Sequence, residues 1–145
     1  MKVRALIVDD SGLMRKMVMT SLRQTLLAEF EFIEAEDGAD ALEKFNNRNT
    51  DIVFVDWNMP GMTGIDFVRQ VRSKKNTDHI PIVMVTSENA IGKVAIALDE
   101  VGADSYICKP FTVEEMQRKL TKLIEKISLN RKRPSGFFGK LMTGG

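Results

Sequence analysis

The chain has 145 residues, the length of one compact domain, and its 43% hydrophobic and 28% charged residues are typical of a globular protein. Its 21 basic and 20 acidic residues leave a net charge of +1, which indicates no general attraction to nucleic acid or membranes. One cysteine excludes an internal disulfide, and no run reaches the roughly 20 apolar residues of a membrane span, so we expect a cytoplasmic protein.

The first half of the chain alternates between strand and helix patterns. Residues 3–8 form an apolar, β-branched run, which predicts a strand buried on both faces. A four-residue apolar period then predicts a helix through Met14, Val18, Leu22 and Leu26. Residues 30–34 mix polar and apolar side chains and predict a more exposed strand. The next helix is introduced by Asp37-Gly38 and carries Ala41, Leu42 and Phe45.

The second half repeats this alternation. Apolar runs at residues 52–55 and 82–85 predict two buried strands, and residues 105–108 predict a fifth strand. Thr63-Gly64 precedes a helix, Asn89 opens another over residues 90–100, and Gly102 occupies the position of its C-terminal cap. The last predicted helix has its apolar face at Met116, Leu120, Leu123 and Ile127.

Five strands that alternate with five helices predict a doubly wound α/β domain, in which right-handed crossovers build one parallel sheet. The composition changes after Ser128, where residues 130–136 are basic and contain glycine and proline. We therefore expect a folded domain over residues 1–129 and a basic, flexible tail over residues 130–145. That tail is too short for a DNA-binding domain, so we expect no nucleic-acid partner.

Acidic residues follow the predicted strands. Asp9 and Asp10 come after the first strand, Asp56 after the third, and Lys109 after the fifth. The carboxyl ends of parallel strands form one rim, which is where such sheets bind ligands. Carboxylates crowded at this rim repel one another unless a cation neutralises them, and oxygen ligands suit Mg²⁺ or Mn²⁺. The sequence therefore predicts a divalent cation site with Lys109 beside it.

A carboxylate at this rim could also act as a nucleophile. It can attack phosphorus to give an acyl phosphate, and Asp56, which stands alone after the central strand, is the best-placed nucleophile. Asp9 and Asp10 are then left to bind the metal ion, and we call this pair the metal seat. Simpler interpretations exist for single residues: Asp9-Asp10 as a helix cap, Thr86 as an ordinary strand residue, and Tyr106 as a core aromatic.

Together these residues resemble the response regulator receiver domains of bacterial two-component signalling, in particular the single-domain chemotaxis regulators. The resemblance covers residues 3–127. It depends on Asp9-Asp10, on Asp56 followed by Met59-Pro60-Gly61 and Gly64, and on Thr86-Ser87, Gly102-Ala103-Asp104, Tyr106 and Lys109-Pro110-Phe111. It implies a flavodoxin-like sheet of order 2-1-3-4-5 and a cis bond between Lys109 and Pro110.

The resemblance also implies roles for single residues. Asp56 would be phosphorylated, and the cation would be held by Asp9, Asp10, Asp56 and the main-chain carbonyl of Asn58. Lys109 would contact the phosphoryl group, while Thr86 and Tyr106 would be the switch residues.

For partners, the resemblance implies a histidine kinase as phosphodonor and an output protein that binds the face of the fourth helix, fifth strand and fifth helix. A component of the flagellar motor is the output it favours, and a phosphorelay intermediate or phosphate sink is the alternative. The resemblance implies a monomer or a weak phosphorylation-dependent dimer. A rival from another class is a phosphatase of haloacid-dehalogenase type, but that pattern needs an Asp where this chain has Asn58.

Overall fold

The computed structural model describes residues 1–87 and 91–132, which form five strands and five helices in alternation. The elements are β1 Lys2–Val8, α1 Gly12–Gln24, β2 Glu29–Ala35, α2 Gly38–Lys44, β3 Ile52–Asp56, α3 Gly64–Ser73, β4 Ile82–Ser87, α4 Ile91–Val101, β5 Ser105–Lys109 and α5 Val113–Lys132. Every strand pair is parallel, and the sheet order is β2-β1-β3-β4-β5. The predicted doubly wound fold and strand order are confirmed.

The sheet separates two apolar clusters because successive side chains of a strand point to opposite faces. Leu6 and Val8 of β1 pack into the cluster that contains Phe67 of α3. Ala5 and Ile7 of the same strand pack into the cluster that α1 and α5 cover. The edge strand β2 keeps exposed positions between its buried ones, as its mixed sequence predicts. Helices therefore cover both faces of the sheet.

Short polar side chains define where α1, α2 and α3 begin. Ser11 accepts a hydrogen bond from the N–H of Met14 at 3.2 Å, and Asp37 accepts one from the N–H of Asp40 at 2.7 Å. Thr63 does the same at the start of α3. Each cap satisfies an N–H that the helix leaves unpaired. The starts predicted at Asp37-Gly38 and Thr63-Gly64 are confirmed, whereas Asn89 lies outside the described residues.

The structure corrects the predicted end of the first helix. α1 ends at Gln24, and Leu26 is 88% exposed with a φ of 58° instead of packing on the apolar face. The hydroxyl of Thr25 donates to the carbonyl of Leu22 at 2.6 Å, which satisfies a carbonyl at the helix terminus. The backbone then turns into the left-handed region before β2, so the four-residue period stops at Leu22.

The last helix differs from the predicted domain boundary. α5 continues to Lys132, three residues beyond 129. Arg131 explains the extension, since its guanidinium donates to the carbonyl of Lys2 and to the carboxylate of Asp51 at the amino ends of the strands. Asn130, Arg131 and Lys132 are thus helical. Residues 133–145 lie outside the described part of the chain, where the tail stays a prediction.

Arg72 of α3 joins three segments of the second half of the domain. Its side chain is only 14% exposed. Its guanidinium donates to the carbonyls of Thr77, Ile80 and Gly102 and to the carboxylate of Asp104. Asp104 in turn accepts from the N–H of Ile82 at 2.7 Å, at the start of β4. Gly102 has a φ of 86° directly after α4, as a C-terminal cap requires.

We expect Arg72→Met to lower the free energy of unfolding by about 2 kcal/mol, because the carbonyls of the buried residues Thr77 and Ile80 lose their charged donor. Urea unfolding followed by circular dichroism measures the loss. Arg69→Met is the matched control, since Arg69 is 59% exposed and its contact with Asp66 is 3.8 Å long. We expect the control to lower the free energy of unfolding by less than about 0.5 kcal/mol. Equal losses in the two variants would contradict the structural role of Arg72.

Candidate functional site

Three carboxylates meet at the carboxyl edge of the sheet. Asp9 follows β1, Asp10 precedes α1, and Asp56 ends β3. One carboxylate oxygen from each residue lies within 4.8 Å of the other two. Asp9 and Asp56 are 4% and 7% exposed, whereas Asp10 faces solvent. The structure therefore brings together the three acidic residues that sequence analysis singled out.

Lys109 lies between the two buried carboxylates. Its ammonium is 3.1 Å from Asp56 Oδ1 and 3.3 Å from Asp9 Oδ2. The residue ends β5, and the following bond to Pro110 is cis, as expected. The ammonium contacts two of the three carboxylates of the cluster, and one positive charge does not balance three negative ones.

The pKa of Asp56 reflects its burial and its charged neighbours. Burial raises the pKa of the Asp56 carboxyl above its ordinary value, the charge of Lys109 lowers it in part, and the charge of Asp9 raises it again. The main-chain N–H of Asn58 also lowers the pKa by hydrogen bonding. A carboxylate that is buried beside another one is most easily kept ionised by a further cation.

The donor set at the rim fits a hard divalent cation. Three carboxylates supply oxygen atoms within reach of one ion, and the exposed Asp10 leaves an open side for water or a ligand. Mg²⁺ prefers one or two carboxylates and keeps several of its waters. The residues present therefore suit Mg²⁺, and they would equally accept Mn²⁺.

The β3–α3 loop approaches Asp56 closely. The N–H of Gly64 donates to the carbonyl of Trp57 at 3.0 Å. A Cβ atom on Gly64 would lie 2.3 Å from the carbonyl oxygen of Asp56, so position 64 cannot accept a side chain without movement of the backbone. Trp57 is half-buried and Asn58 is exposed. The absence of a side chain at Gly64 therefore lets α3 begin against the end of β3.

Thr86 and Tyr106 do not join the acid cluster directly. Thr86 is fully buried in β4, and its hydroxyl donates to the carbonyl of Ser87 over a long 3.4 Å. Tyr106 is half-buried in the edge strand β5. The ammonium of Lys119 lies 3.7 Å from the centre of its ring and donates to its carbonyl at 2.8 Å.

Sequence analysis missed two residues at the rim. The N–H of Ser11 donates to Asp9 Oδ1 at 2.9 Å, and Arg15 donates to the carbonyl of Asp9 at 2.7 Å. One signal pointed to Arg15. A helix usually carries acidic residues near its amino end, whereas α1 has none in its first turn and has Arg15 close by. A basic residue at that place needs a partner outside the helix.

Across residues 1–87 and 91–132, no helix is both long and apolar enough to cross a membrane.

The fold and the acidic rim together define the class of protein. A family model described as the response regulator receiver domain matches residues 5–121, and the chain belongs to this family. Receiver domains are signalling switches and not conventional enzymes.

Among similar proteins, Chemotaxis protein CheY of Pseudomonas aeruginosa is 38% identical over 126 residues, which cover 87% of this chain and 99% of that protein. Chemotaxis protein CheY1 of Helicobacter pylori is 40% identical over 119 residues, 81% of this chain and 94% of that protein. The structure of chemotaxis response regulator CheY4 of Vibrio cholerae matches with a TM-score of 0.73 at 34% identity, and the match covers 85% of this chain and 99% of that chain. This chain is therefore a receiver of the type found in chemotaxis regulators.

Proposed function

We propose that this protein is a chemotaxis switch that takes a phosphoryl group from a histidine kinase onto Asp56. The observation that carries the proposal is the placement of Asp56 at the end of the central strand, with Lys109 at 3.1 Å and two further carboxylates within 4.8 Å. The chemotaxis role is supported by the relatives, which are named as chemotaxis proteins.

The proposed transfer is a direct displacement at phosphorus. A carboxylate oxygen of Asp56 attacks the phosphorus of a phosphohistidine, and the O–P bond forms as the P–N bond breaks. The imidazole leaves with the electron pair and takes up a proton. Lys109 moves from the carboxylates to the phosphoryl oxygens, whose charge it balances. Asp9, Asp10, Asp56 and the main-chain carbonyl of Asn58 would hold Mg²⁺, which when bound supplies further positive charge at these oxygens.

Stoichiometry tests this proposal. Incubated with acetyl phosphate and Mg²⁺, the wild type is expected to gain one phosphoryl group per chain by intact-mass spectrometry, and none with a chelator. Peptide mapping after borohydride reduction should place the group on Asp56. Sustained hydrolysis of many equivalents of a phosphomonoester would instead support the rival phosphatase.

Magnesium binding should change the fluorescence of Trp57, because this sole tryptophan is half-buried next to Asp56. We expect Asp10→Ala to raise the Mg²⁺ dissociation constant about 10-fold or more, since one charged ligand is lost. Fluorescence titration measures the change. Asp66→Ala removes the same charge from an exposed position of α3 and is expected to titrate like the wild type. Identical curves for Asp10→Ala and wild type would remove the metal assignment.

We propose that phosphorylation shifts an equilibrium between two states, and that Thr86 and Tyr106 carry the shift to the face formed by α4, β5 and α5. A shift from 1:99 to 99:1 needs about 5.5 kcal/mol, and a hydrogen bond to a charged group contributes roughly 1.5 to 3 kcal/mol. Bonds from Thr86 and Lys109 to the phosphoryl oxygens would together supply most of it. The contact from the Thr86 hydroxyl to the Ser87 carbonyl is long, at 3.4 Å, so it is easily given up.

The Thr86→Ala variant should therefore separate the chemistry from the switch. We expect it to accept phosphate on Asp56 but to show little chemical-shift change over residues 94–98 and 106–116, where the wild type changes. Two-dimensional NMR of both proteins with the phosphoryl group attached gives the comparison. Matching spectra in these regions would make Thr86 an ordinary strand residue.

The output partner is proposed to bind this same face in the cytoplasm, with a phosphorelay or phosphate-sink role as the alternative. Support comes from Tyr106, which lies half-buried at the edge of the sheet beside Lys119. Binding of an output protein that increases on phosphorylation in the wild type and not in Thr86→Ala would favour a direct output over a phosphate sink. We expect a monomer, or a dimer that forms weakly on phosphorylation.

A further inference from the structure

Arg15 connects the metal seat to the edge of the sheet. One terminal nitrogen, Nη1, donates to the main-chain carbonyl of Asp9 at 2.7 Å, and Nε donates to the carboxylate of Glu34 on β2 at 2.9 Å. The side chain is 19% exposed, so most of it is held in place by these contacts and by the protein around it. A Cβ atom on Gly12 would lie 3.4 Å from its guanidinium, which therefore packs over the amino end of α1.

The carbonyl that Arg15 holds belongs to the peptide bond between Asp9 and Asp10. The carboxylate of Asp9 has its own anchors, the N–H of Ser11 at 2.9 Å and Lys109 at 3.3 Å. Asp10 is exposed, so the direction of its side chain depends on the peptide that precedes it. Rotation of that peptide would turn Asp10 away from Asp56. Among these anchoring groups, Arg15 is the one that donates a hydrogen bond to the carbonyl of this peptide.

We propose that Arg15 is a positioning residue for the divalent cation, a role that rests on the metal site proposed above. By fixing the peptide between Asp9 and Asp10, it keeps the exposed Asp10 carboxylate directed toward Asp56. Glu34 in turn fixes Arg15, because a planar guanidinium that donates hydrogen bonds through two of its nitrogens has a defined orientation. Partners that orient the ligands of a metal typically change its affinity about 10- to 100-fold when they are removed.

The sign of the effect separates positioning from simple charge. Arg15 is a cation near the acid cluster, so its charge by itself repels Mg²⁺. If charge were its whole contribution, Arg15→Met would bind Mg²⁺ more tightly. If Arg15 positions Asp10, the same variant binds Mg²⁺ more weakly, although a positive charge has been removed. The two interpretations thus predict opposite changes in the dissociation constant.

The test is a Mg²⁺ titration of the full chain, followed by Trp57 fluorescence and checked by calorimetry. We expect Arg15→Met to raise the dissociation constant about 10-fold. Arg15→Lys keeps the positive charge but loses the planar guanidinium that donates through two nitrogens. We therefore expect a dissociation constant between those of the wild type and Arg15→Met. Arg69→Met removes a cation from an exposed pair on α3 and is the matched control. This control is expected to bind Mg²⁺ like the wild type.

Phosphorylation by acetyl phosphate gives a second readout. A positioning role predicts that Arg15→Met needs more Mg²⁺ to reach half its maximal rate but reaches the wild-type rate at saturation. Thermal unfolding without Mg²⁺ shows whether the variant is folded. If Arg15→Met fails to fold, Arg15→Lys decides the question: a dissociation constant equal to that of the wild type would overturn the proposal.

The outcomes distinguish this inference from the metal site itself. If the wild type and Asp10→Ala respond alike to Mg²⁺, the metal assignment is wrong and the role of Arg15 falls with it. If they differ while Arg15→Met binds as tightly as the wild type or more tightly, the metal site stands and only the role of Arg15 is wrong.

Discussion

Asp56→Asn is expected to take up no phosphoryl group from any donor and, without Mg²⁺, to unfold at a higher temperature than the wild type. The first result follows because an amide oxygen is a far weaker nucleophile than a carboxylate. The fold should be retained, since Asn has nearly the shape of Asp and its oxygen can still accept from Lys109, now 3.1 Å from Oδ1.

The stability gain follows from the pKa of Asp56. Burial raises the pKa of this carboxyl in the folded protein, so folding favours its protonated form. The stability that this preference contributes is fully present below the unfolded pKa of about 4 and is lost as the pH rises through the folded value. At neutral pH the wild type therefore keeps an unfavourable buried charge, which Asn removes. The advantage of the variant should shrink as the pH falls through the raised folded pKa of Asp56, and it should be smallest below about 4.

Differential scanning calorimetry at neutral and acidic pH, with and without Mg²⁺, measures this difference. Mg²⁺ binds the folded wild type and should stabilise it, but should stabilise the variant much less. Asp66→Asn on the exposed surface of α3 is the matched control and should leave both labelling and stability nearly unchanged. Phosphate on another residue of the wild type would refute Asp56 as the acceptor, and a less stable variant at neutral pH would refute the electrostatic argument.

Gly64→Ala is expected to destabilise the domain by about 3 kcal/mol and to slow phosphorylation, although it adds only one methyl group. The new Cβ would lie 2.3 Å from the carbonyl oxygen of Asp56 and 3.0 Å from Cα of Trp57. Both contacts are with main chain, which cannot rotate away as a side chain can, so the β3–α3 loop must move. Because Asp56 ends β3 at this contact, the movement displaces the carboxylate that we propose as phosphoacceptor.

Gly92→Ala provides the matched control for this substitution. Gly92 lies in α4, and a Cβ there would meet no atom within 4 Å. Alanine favours helix over glycine by about 1 kcal/mol, so the control should be neutral or slightly stabilising. Urea unfolding and the acetyl phosphate reaction measure both effects. Equal free energies of unfolding for Gly64→Ala and Gly92→Ala would show that the close contact between Gly64 and β3 does not exclude a side chain at position 64.

Much of the fold could be predicted from local patterns. Uninterrupted apolar runs predicted the central strands, because a strand that is buried on both faces carries apolar side chains on both. Val53 and Phe54 of β3 illustrate this pattern. Asp37 and Thr63 predicted helix starts because capping involves residues only three positions apart. The carboxylates of Asp9 and Asp56 could be placed at one rim, since parallel strands direct their carboxyl ends to the same edge.

What the sequence determined by itself was thus the set of elements, their parallel arrangement and the acidic residues at one edge. Tertiary structure decided the contacts between residues far apart in the chain. The period that included Leu26 could not show that Thr25 ends the helix, and the basic composition near Arg131 could not show its pairing with Asp51. The contact of Arg15 with the Asp9 carbonyl also depends on how α1 lies on the sheet. Local periodicity records which face of an element is buried, whereas the partner of a long polar side chain is set by the packing of whole elements.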